Sequence, residues 1–306
     1  MSYFGKPNVS VVIPTYKRYG MLPRAIESVL AQTYKQIQVI VVDDNDPGTE
    51  WRAKTEKLME NYSTDSRIKY IKHSKNLNGS AARNTGIKNA DGEIVCFLDD
   101  DDLYLEKKVE RQVDFLLSNP EYHAVYCGWD RNGIVIPTAT GDCSFQLLSG
   151  TGLIYTNVIM MWKQDALDCG GWDETFKRHQ EAAFMLRYFR NGGKLGLIPE
   201  CLVKFDISDR MNAAANGKIN EEQMNHYLSS YFDMIEICDT ERKGSRRDIY
   251  SYQYRSVLLN YILDHDFNSA LRLWLRMTQM MPLKFNLDLS RYLLKKISNG
   301  QVRFLH

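Results

Sequence analysis

Three short runs constrain this chain more than anything else in it. Residues 9–16 (VSVVIPTY), 37–46 (IQVIVVDDND) and 94–102 (IVCFLDDDD) each begin apolar at nearly every position and then stop at polar or acidic residues. A strand with one wet face alternates apolar and polar side chains, so strands apolar throughout belong to a parallel sheet covered on both faces. Helical periodicity fills the gaps. In residues 21–34, Leu22, Ile26, Val29 and Leu30 recur at i, i+4, i+7 and i+8, with Pro23 tolerable in the first turn. A polar helix over 49–61, a short strand over 68–71 and a small-residue helix over 80–90 complete the alternation. The expected fold class is α/β, a Rossmann-like, mostly parallel sheet flanked by helices. Ligands of such sheets bind beyond the carboxyl ends of the strands, which here carry Thr15 and Tyr16, Asp43 and Asp44, and Asp99 to Asp102.

Four adjacent carboxylates at the rim of a core need a positive partner, since unit charges about 4 Å apart repel by about 1 kcal/mol even in water. Asp99 and Asp101, spaced i, i+2, present hard oxygen ligands suited to Mg²⁺ or Mn²⁺ shared with phosphate oxygens. Asp102 precedes an amphipathic helix read over 103–117 and ended by Pro120, so it is expected to cap that helix. Neither a G-x-G-x-x-G after the first strand nor a G-x-x-x-x-G-K-[ST] anywhere supports a dinucleotide-dependent oxidoreductase or a P-loop enzyme.

From about residue 122 to 205 the pattern is mixed, with short strands, many glycines and a helix over 180–190, which suggests a second half built onto the first. Beyond 209 the periodicity is helical, with Pro282 as a break. The expected organisation is a catalytic domain over 1–208, in halves of about 1–120 and 121–208, and a helical C-terminal region over 209–306. The formal charge of +1 across 306 residues gives no sign of a nucleic-acid binder, but residues 241–306 hold 12 Lys/Arg against 5 Asp/Glu. Six scattered cysteines read as reduced core residues. The longest apolar stretches, such as 154–162, are too short to span a bilayer, so a soluble or peripheral cytoplasmic protein is expected. In the basic tail, Arg272, Arg276, Lys284, Arg291, Lys295, Lys296 and Arg303 alternate with Leu273, Trp274, Leu275, Phe285, Tyr292, Leu293 and Leu294. Such helices suit weak attachment to an anionic bilayer, or packing between subunits. The sequence leaves the oligomeric state open.

The combination of VSVVIPTYKR, IQVIVVDDND, NLNGSAARNTGIKNADGEIVCFLDDDD and GGWDETFKRHQEAAFMLR resembles the family 2 inverting glycosyltransferases of the GT-A fold, in the family's order, over roughly residues 8–205. The resemblance implies a nucleotide-sugar donor, a UDP-sugar in the first instance. It also implies a glycan or lipid-linked acceptor and a setting in bacterial capsule, exopolysaccharide or cell-wall glycan synthesis. Thr15 and Tyr16 would border the base, Asp43 or Asp44 would accept a hydrogen bond from it, and Arg83 would lie near the nucleotide. Asp99, Asp100 and Asp101 stand at the Asp-X-Asp motif, the first acid near the ribose and the last on the metal. Glu181 takes the place of the catalytic base, although Ala182 follows it where the family often has an acid or aromatic residue. Trp172 and Asp173, after Gly170 and Gly171, would form the loop below the acceptor, where Trp172 either stacks on a sugar or fills the core. His179 would support that acceptor side. A metal-dependent nucleotidyltransferase and a non-catalytic glycan- or nucleotide-binding module are the alternatives. The first normally wants an early glycine- and lysine-rich loop, which this chain lacks, and the second leaves the acids at both expected places without a purpose.

Overall fold

The structure is a computed structural model that describes residues 5–208 and 216–298; Arg303 of the basic tail lies outside them. The first half runs β1 (Val9–Thr15), α1 (Leu22–Leu30), β2 (Ile37–Asp43), α2 (Glu50–Met59), β3 (Ile68–Lys72), α3 (Gly79–Lys88) and β4 (Ile94–Phe97). The apolar runs become parallel strands in the order β3-β2-β1-β4, with Thr15 level with Asp43 and Val12 with Phe97. All of β4, and all of β1 except Pro14, is buried, as strands covered on both faces must be. The strand order reverses between β1 and β4, which opens a crevice at their carboxyl ends.

The small-residue helix has a packing reason. A Cβ on Gly86 would lie 2.2 Å from a Val12 methyl, so only glycine lets α3 settle this closely on β1. Asn78 caps α3, its side-chain oxygen accepting from the Ala81 N–H at 3.1 Å.

The second half runs β5 (Leu103–Tyr104), α4 (Lys108–Ser118), β6 (Ala124–Asp130), β7 (Ile134–Val135), α5 (Ser144–Ser149), β8 (Met160–Trp162), α6 (Lys163–Asp168), α7 (Gln180–Arg190) and β9 (Leu195–Lys204). The sheet continues past β4 through β8, β6, β9 and β5, with only the β6–β9 pairing parallel, and β7 pairs with β6. Asp102 is not a helix cap. Residues 103–104 pair as β5 with β9 and the helix begins five residues later, because Tyr104 turns inward and donates its hydroxyl to the Phe97 carbonyl at 2.6 Å. Below it the fully buried Lys108 ammonium lies 3.9 Å from the Tyr104 ring centroid and bonds Gln112 at 2.6 Å; burial lowers its pKa.

Five helices follow: α8 (Gly217–Ser230), α9 (Phe232–Glu241), α10 (Ser245–Leu263), α11 (Phe267–Met280) and α12 (Pro282–Ser298). Pro282 opens α12, where its missing N–H costs nothing. The chain divides into two compact units, Met1–Cys143 with Leu153–Arg210, and Ser144–Gly152 with Met211–His306. Residues 144–152, expected in the acceptor half, therefore belong with the C-terminal helices. The Gln253 amide donates to the Leu148 carbonyl at 2.6 Å, and Gly150, at φ +64°, gives the Tyr252 ring the space a side chain would fill. Among the described residues no helix is long and apolar enough to cross a membrane.

Candidate active site

The carboxyl end of β4 is arranged by alternation. Asp99 and Asp101 are partly exposed, and each meets an arginine: Arg83 Nη2 lies 2.6 Å from Asp99, and Arg18 Nη1 lies 2.9 Å from Asp101. Asp100 and Asp102 are buried. Asp100 accepts from the Thr15 hydroxyl at 2.7 Å and faces Arg18 at 3.5 Å. Burial, with the neighbouring acids adding to it, pushes its carboxyl up to about 7 against the pull of Thr15 and Arg18. Asp102 accepts from the Asp206 N–H at 2.7 Å and from the Asn157 amide; burial, then the charges of Asp99 and Asp101, push it up to about 8.

One buried side chain holds both ends of this run. Asn157, fully buried, accepts the Asp99 N–H at 2.8 Å through Oδ1 and donates through Nδ2 to Asp102. Gln112 secures the next residue, its amide donating to the Val158 carbonyl at 2.9 Å. The crowded acids thus find their positive partners in Arg18 and Arg83, while polar donors hold the backbone. Among the described residues no three His, Cys, Asp or Glu side chains gather as a metal cage. Of the acid run, Asp99 and Asp101 are the two partly exposed carboxylates, a pair that would leave coordination positions for a ligand's oxygens. Small divalent cations are held that way at phosphate sites.

Thr15 is 1% exposed, and its hydroxyl is engaged by Asp100. Tyr16 is 38% exposed, with the Lys17 ammonium 4.8 Å from its ring centroid, and stands at the mouth of the crevice. Asp43 and Asp44 do not project into it. Asp43 Oδ1 accepts from the Asn45 backbone and side chain at 2.9 and 2.8 Å, and Oδ2 from the Tyr70 hydroxyl at 2.5 Å with the Arg52 guanidinium 3.1 Å away. Asp44 Oδ1 meets His73 Nδ1 at 2.7 Å and the Leu77 N–H at 2.8 Å; Oδ2 meets the Asn76 amide and the Asn78 N–H, both at 2.9 Å. A carboxylate has about four acceptor sites. Asp44 has its four acceptor sites occupied, while Asp43 accepts three hydrogen bonds beside its ion pair with Arg52.

Across the crevice Arg83, in α3, is 7% exposed and reaches Gln180 Oε1 at 3.0 Å as well as Asp99. Its guanidinium lies 4.8 Å from the Trp172 ring centroid, and Phe184 stacks on that ring at 4.4 Å and 8°. Trp172 is 1% exposed, and its ring braces Arg83. Asn84 binds the Trp172 N–H and carbonyl, both at 2.8 Å, fixing this loop to α3. Asp173 turns Oδ1 to the Thr175 N–H and hydroxyl at 3.0 and 2.6 Å and Oδ2 toward Arg187 at 3.6 Å, so it shapes its own loop.

Glu181 lies in the first turn of α7, partly exposed. Burial raises its carboxyl above the ordinary value, Asp99 adds to this, and its own N–H, Arg83 and Arg131 oppose it. Glu181 therefore shares one electrostatic field with the acid run. Arg131 is held by the Tyr155 hydroxyl at 3.2 Å and by the Tyr155 and Phe205 rings. His179 sits at φ 59°, where burial and then Arg178 lower its pKa to about 4, which keeps it neutral near pH 7. The sequence reading missed Arg18, Arg131, Asn157 and Gln180. Asn157 did leave a signal, as a polar residue inside the apolar stretch 154–162.

This site can be set against known proteins. The profile of Glycosyl transferase family 2 matches residues 10–162, half of the chain. An uncharacterized glycosyltransferase of Methanocaldococcus jannaschii is 30% identical over 234 residues, 73% of this chain and 78% of that one. The amylovoran biosynthesis glycosyltransferase AmsB of Erwinia amylovora is 27% identical, covering 83% and 85%. Uncharacterized glycosyltransferases of Rickettsia conorii and Rickettsia felis are 41% and 43% identical, but this chain spans only 19% and 17% of their length. Among solved structures, S. aureus TarS 1–349 in complex with UDP-GlcNAc superposes with a TM-score of 0.61 at 16% identity, covering 87% of this chain and 90% of that one. The mannosyltransferase PcManGT from Pyrobaculum calidifontis, in complex with GDP-Man and Mn²⁺, does so at 0.58 and 15% identity, covering 94% and 87%. These likenesses carry the fold, which is of GT-A type. The family follows from the profile and the 30% identical relative: this chain belongs to glycosyl transferase family 2.

Proposed function

We propose that the chain is an inverting, metal-dependent glycosyltransferase that moves a sugar from a UDP-sugar to a hydroxyl of a glycan or lipid-linked oligosaccharide. The observation that carries this reading is Arg83, which bonds both Asp99 of the acid run and Gln180, the residue before Glu181 on α7, and so joins the partly exposed Asp99 and Asp101 at the β1/β4 crevice to the helix that bears Glu181. Tyr16 at the mouth borders the base. Arg83 and Arg18 meet the negative charge of the donor, and Asp99 and Asp101 would hold Mn²⁺ or Mg²⁺. When bound, that cation would stabilise charge on the departing diphosphate.

Glu181 is the base. Its carboxylate takes the acceptor hydroxyl's proton as that oxygen bonds the anomeric carbon, and the carbon's bond to the diphosphate oxygen breaks on the opposite side. One displacement inverts the anomeric configuration. His179, neutral, and the Asp173 loop border the acceptor. The relative named for amylovoran biosynthesis supports a biosynthetic role, which we assign to bacterial capsule, exopolysaccharide or cell-wall glycan synthesis. We place the protein in the cytoplasm, at the inner face of the membrane that would carry a lipid-linked acceptor, with peripheral contact through the C-terminal helices.

Calorimetry with UDP, GDP and Mn²⁺, followed by a donor screen that reads released nucleoside diphosphate and product anomeric configuration, tests this. Binding of UDP only with Mn²⁺, and a product of inverted configuration, is expected. No nucleotide binding at all overturns the reading, and release of pyrophosphate in place of a nucleoside diphosphate moves it to a nucleotidyltransferase.

A further inference from the structure

Helices α11 and α12 turn leucines to solvent where a surface helix ordinarily carries polar side chains. On α12 the inward side is marked by the buried Phe285; at positions on the opposite side, Leu283, Leu287 and Leu294 are 80, 56 and 66% exposed. On α11 the inward side holds Ala270, Leu273 and Met277, while Leu271 and Leu275, one turn apart, are 55 and 53% exposed. The helices lie side by side, the Trp274 indole N–H donating to Asn286 at 2.9 Å and the Asn286 amide to the Thr278 hydroxyl at 3.3 Å.

On α12 the charges beside these leucines have one sign, whereas Arg272 and Arg276 of α11 pair with Glu221. Arg291 and Lys295 on α12 are exposed. Asp288, the one acid of that helix, accepts from the Ser251 hydroxyl of α10 at 2.7 Å and pairs with Lys284 at 3.1 Å. The outward side of α12 therefore presents leucine and cation, with its only carboxylate turned to α10 and to the helix's own lysine.

We propose that this face lies on an anionic bilayer, α12 in the plane of the interface with its leucines at headgroup depth and Arg291 and Lys295 on acidic headgroups. This deepens the peripheral contact proposed above and rests on that reading. Charge complementarity selects the occupant: a second copy docked through the same face about a two-fold axis would bring like cations together. A bilayer of acidic lipid meets them with the opposite sign.

The test is sedimentation of the full chain with phosphatidylcholine vesicles, with and without phosphatidylglycerol, at low and high salt, alongside UDP and Mn²⁺ calorimetry on the same samples. Binding to the acidic vesicles only, weakened by salt, is expected. Arg291→Gln with Lys295→Gln should weaken it about thirtyfold, at the usual contribution of a cation near an anionic surface. Leu283→Ser with Leu287→Ser and Leu294→Ser should abolish it, with nucleotide binding intact as evidence of folding. A wild-type chain that binds UDP with Mn²⁺ yet ignores acidic vesicles overturns the proposal. So does a self-associating chain that the leucine substitutions dissociate without changing vesicle binding, which gives the face to a second copy. Loss of nucleotide binding with vesicle binding intact would count against the glycosyltransferase reading alone.

Discussion

Two acidic clusters end two neighbouring regions of the sheet, Asp43–Asp44 after β2 and Asp99–Asp102 after β4, and they resemble each other in sequence far more than in structure. In the first, seven hydrogen bonds and an ion pair with Arg52 occupy the two carboxylates, three of the bonds from Asn45 and Tyr70 and four from residues 73–78. In the second, the buried Asp100 and Asp102 take neutral donors, with Arg18 also 3.5 Å from Asp100, and the other two acids meet arginines at a partly open rim. An acid at a strand end is thus not by itself a site. The partner decides: internal donors make a fastening, whereas arginines at a partly open rim make the receptor proposed above.

The sharpest way to divide the two roles at the receptor is a pair of substitutions. Glu181→Gln should lower turnover by about 10²- to 10⁴-fold with nucleotide affinity nearly unchanged, as loss of a general base does. Asp101→Asn should remove metal-dependent nucleotide binding, and calorimetry beside single-turnover rates would separate the two. Equal loss of binding in both would end the division. On the fastening side, Asp43→Ala leaves Arg52 buried without its counter-charge and should cost about 3–5 kcal/mol in denaturant unfolding. A stable Asp43→Ala protein that had lost only nucleotide binding would break the comparison.

Asn157→Ala removes the clamp and leaves the Asp99 N–H and a buried Asp102 oxygen short of a partner, at about 1–3 kcal/mol. The expected signature is weaker Mn²⁺-dependent UDP binding and a raised KM, with kcat at saturation nearly kept. The smallest effect concerns pH. Glu181 acts deprotonated and its pKa is raised, so turnover should fall as pH drops through a value above the ordinary glutamate figure of about 4.3. Arg83 opposes that rise, so Arg83→Gln should move the acid limb further up. A limb that moved down would show that Arg83 does not act on Glu181.

The strands and most helix positions were legible because burial on both faces leaves an uninterrupted apolar run, and β1, β2 and β4 fall where those runs stand. The helix over 180–190 was legible for a similar reason, its apolar residues recurring on one side. What stayed hidden depends on distant partners. The sequence cannot show that Tyr104 turns back to the Phe97 carbonyl and makes residues 103–104 a strand, so Asp102 looked like a cap. Residues 144–152 fooled the reading in the same way, since the Gln253 and Tyr252 that hold them lie about a hundred positions on. Asp43 and Asp99 look alike until their donors are known, and those donors come from β3, α2 and α3.

Arg18 and Arg83 give the acid run its counter-charges in the chain itself. On the metal-dependent reading proposed above, a rim that carries its own counter-charges would not need a cation in order to fold, in contrast to domains that collapse only around a metal. A chelator should then silence the protein without melting it. On the same reading a cation would compete with a tethered guanidinium, and would enter most readily in company with an anion that can receive Arg18 in exchange.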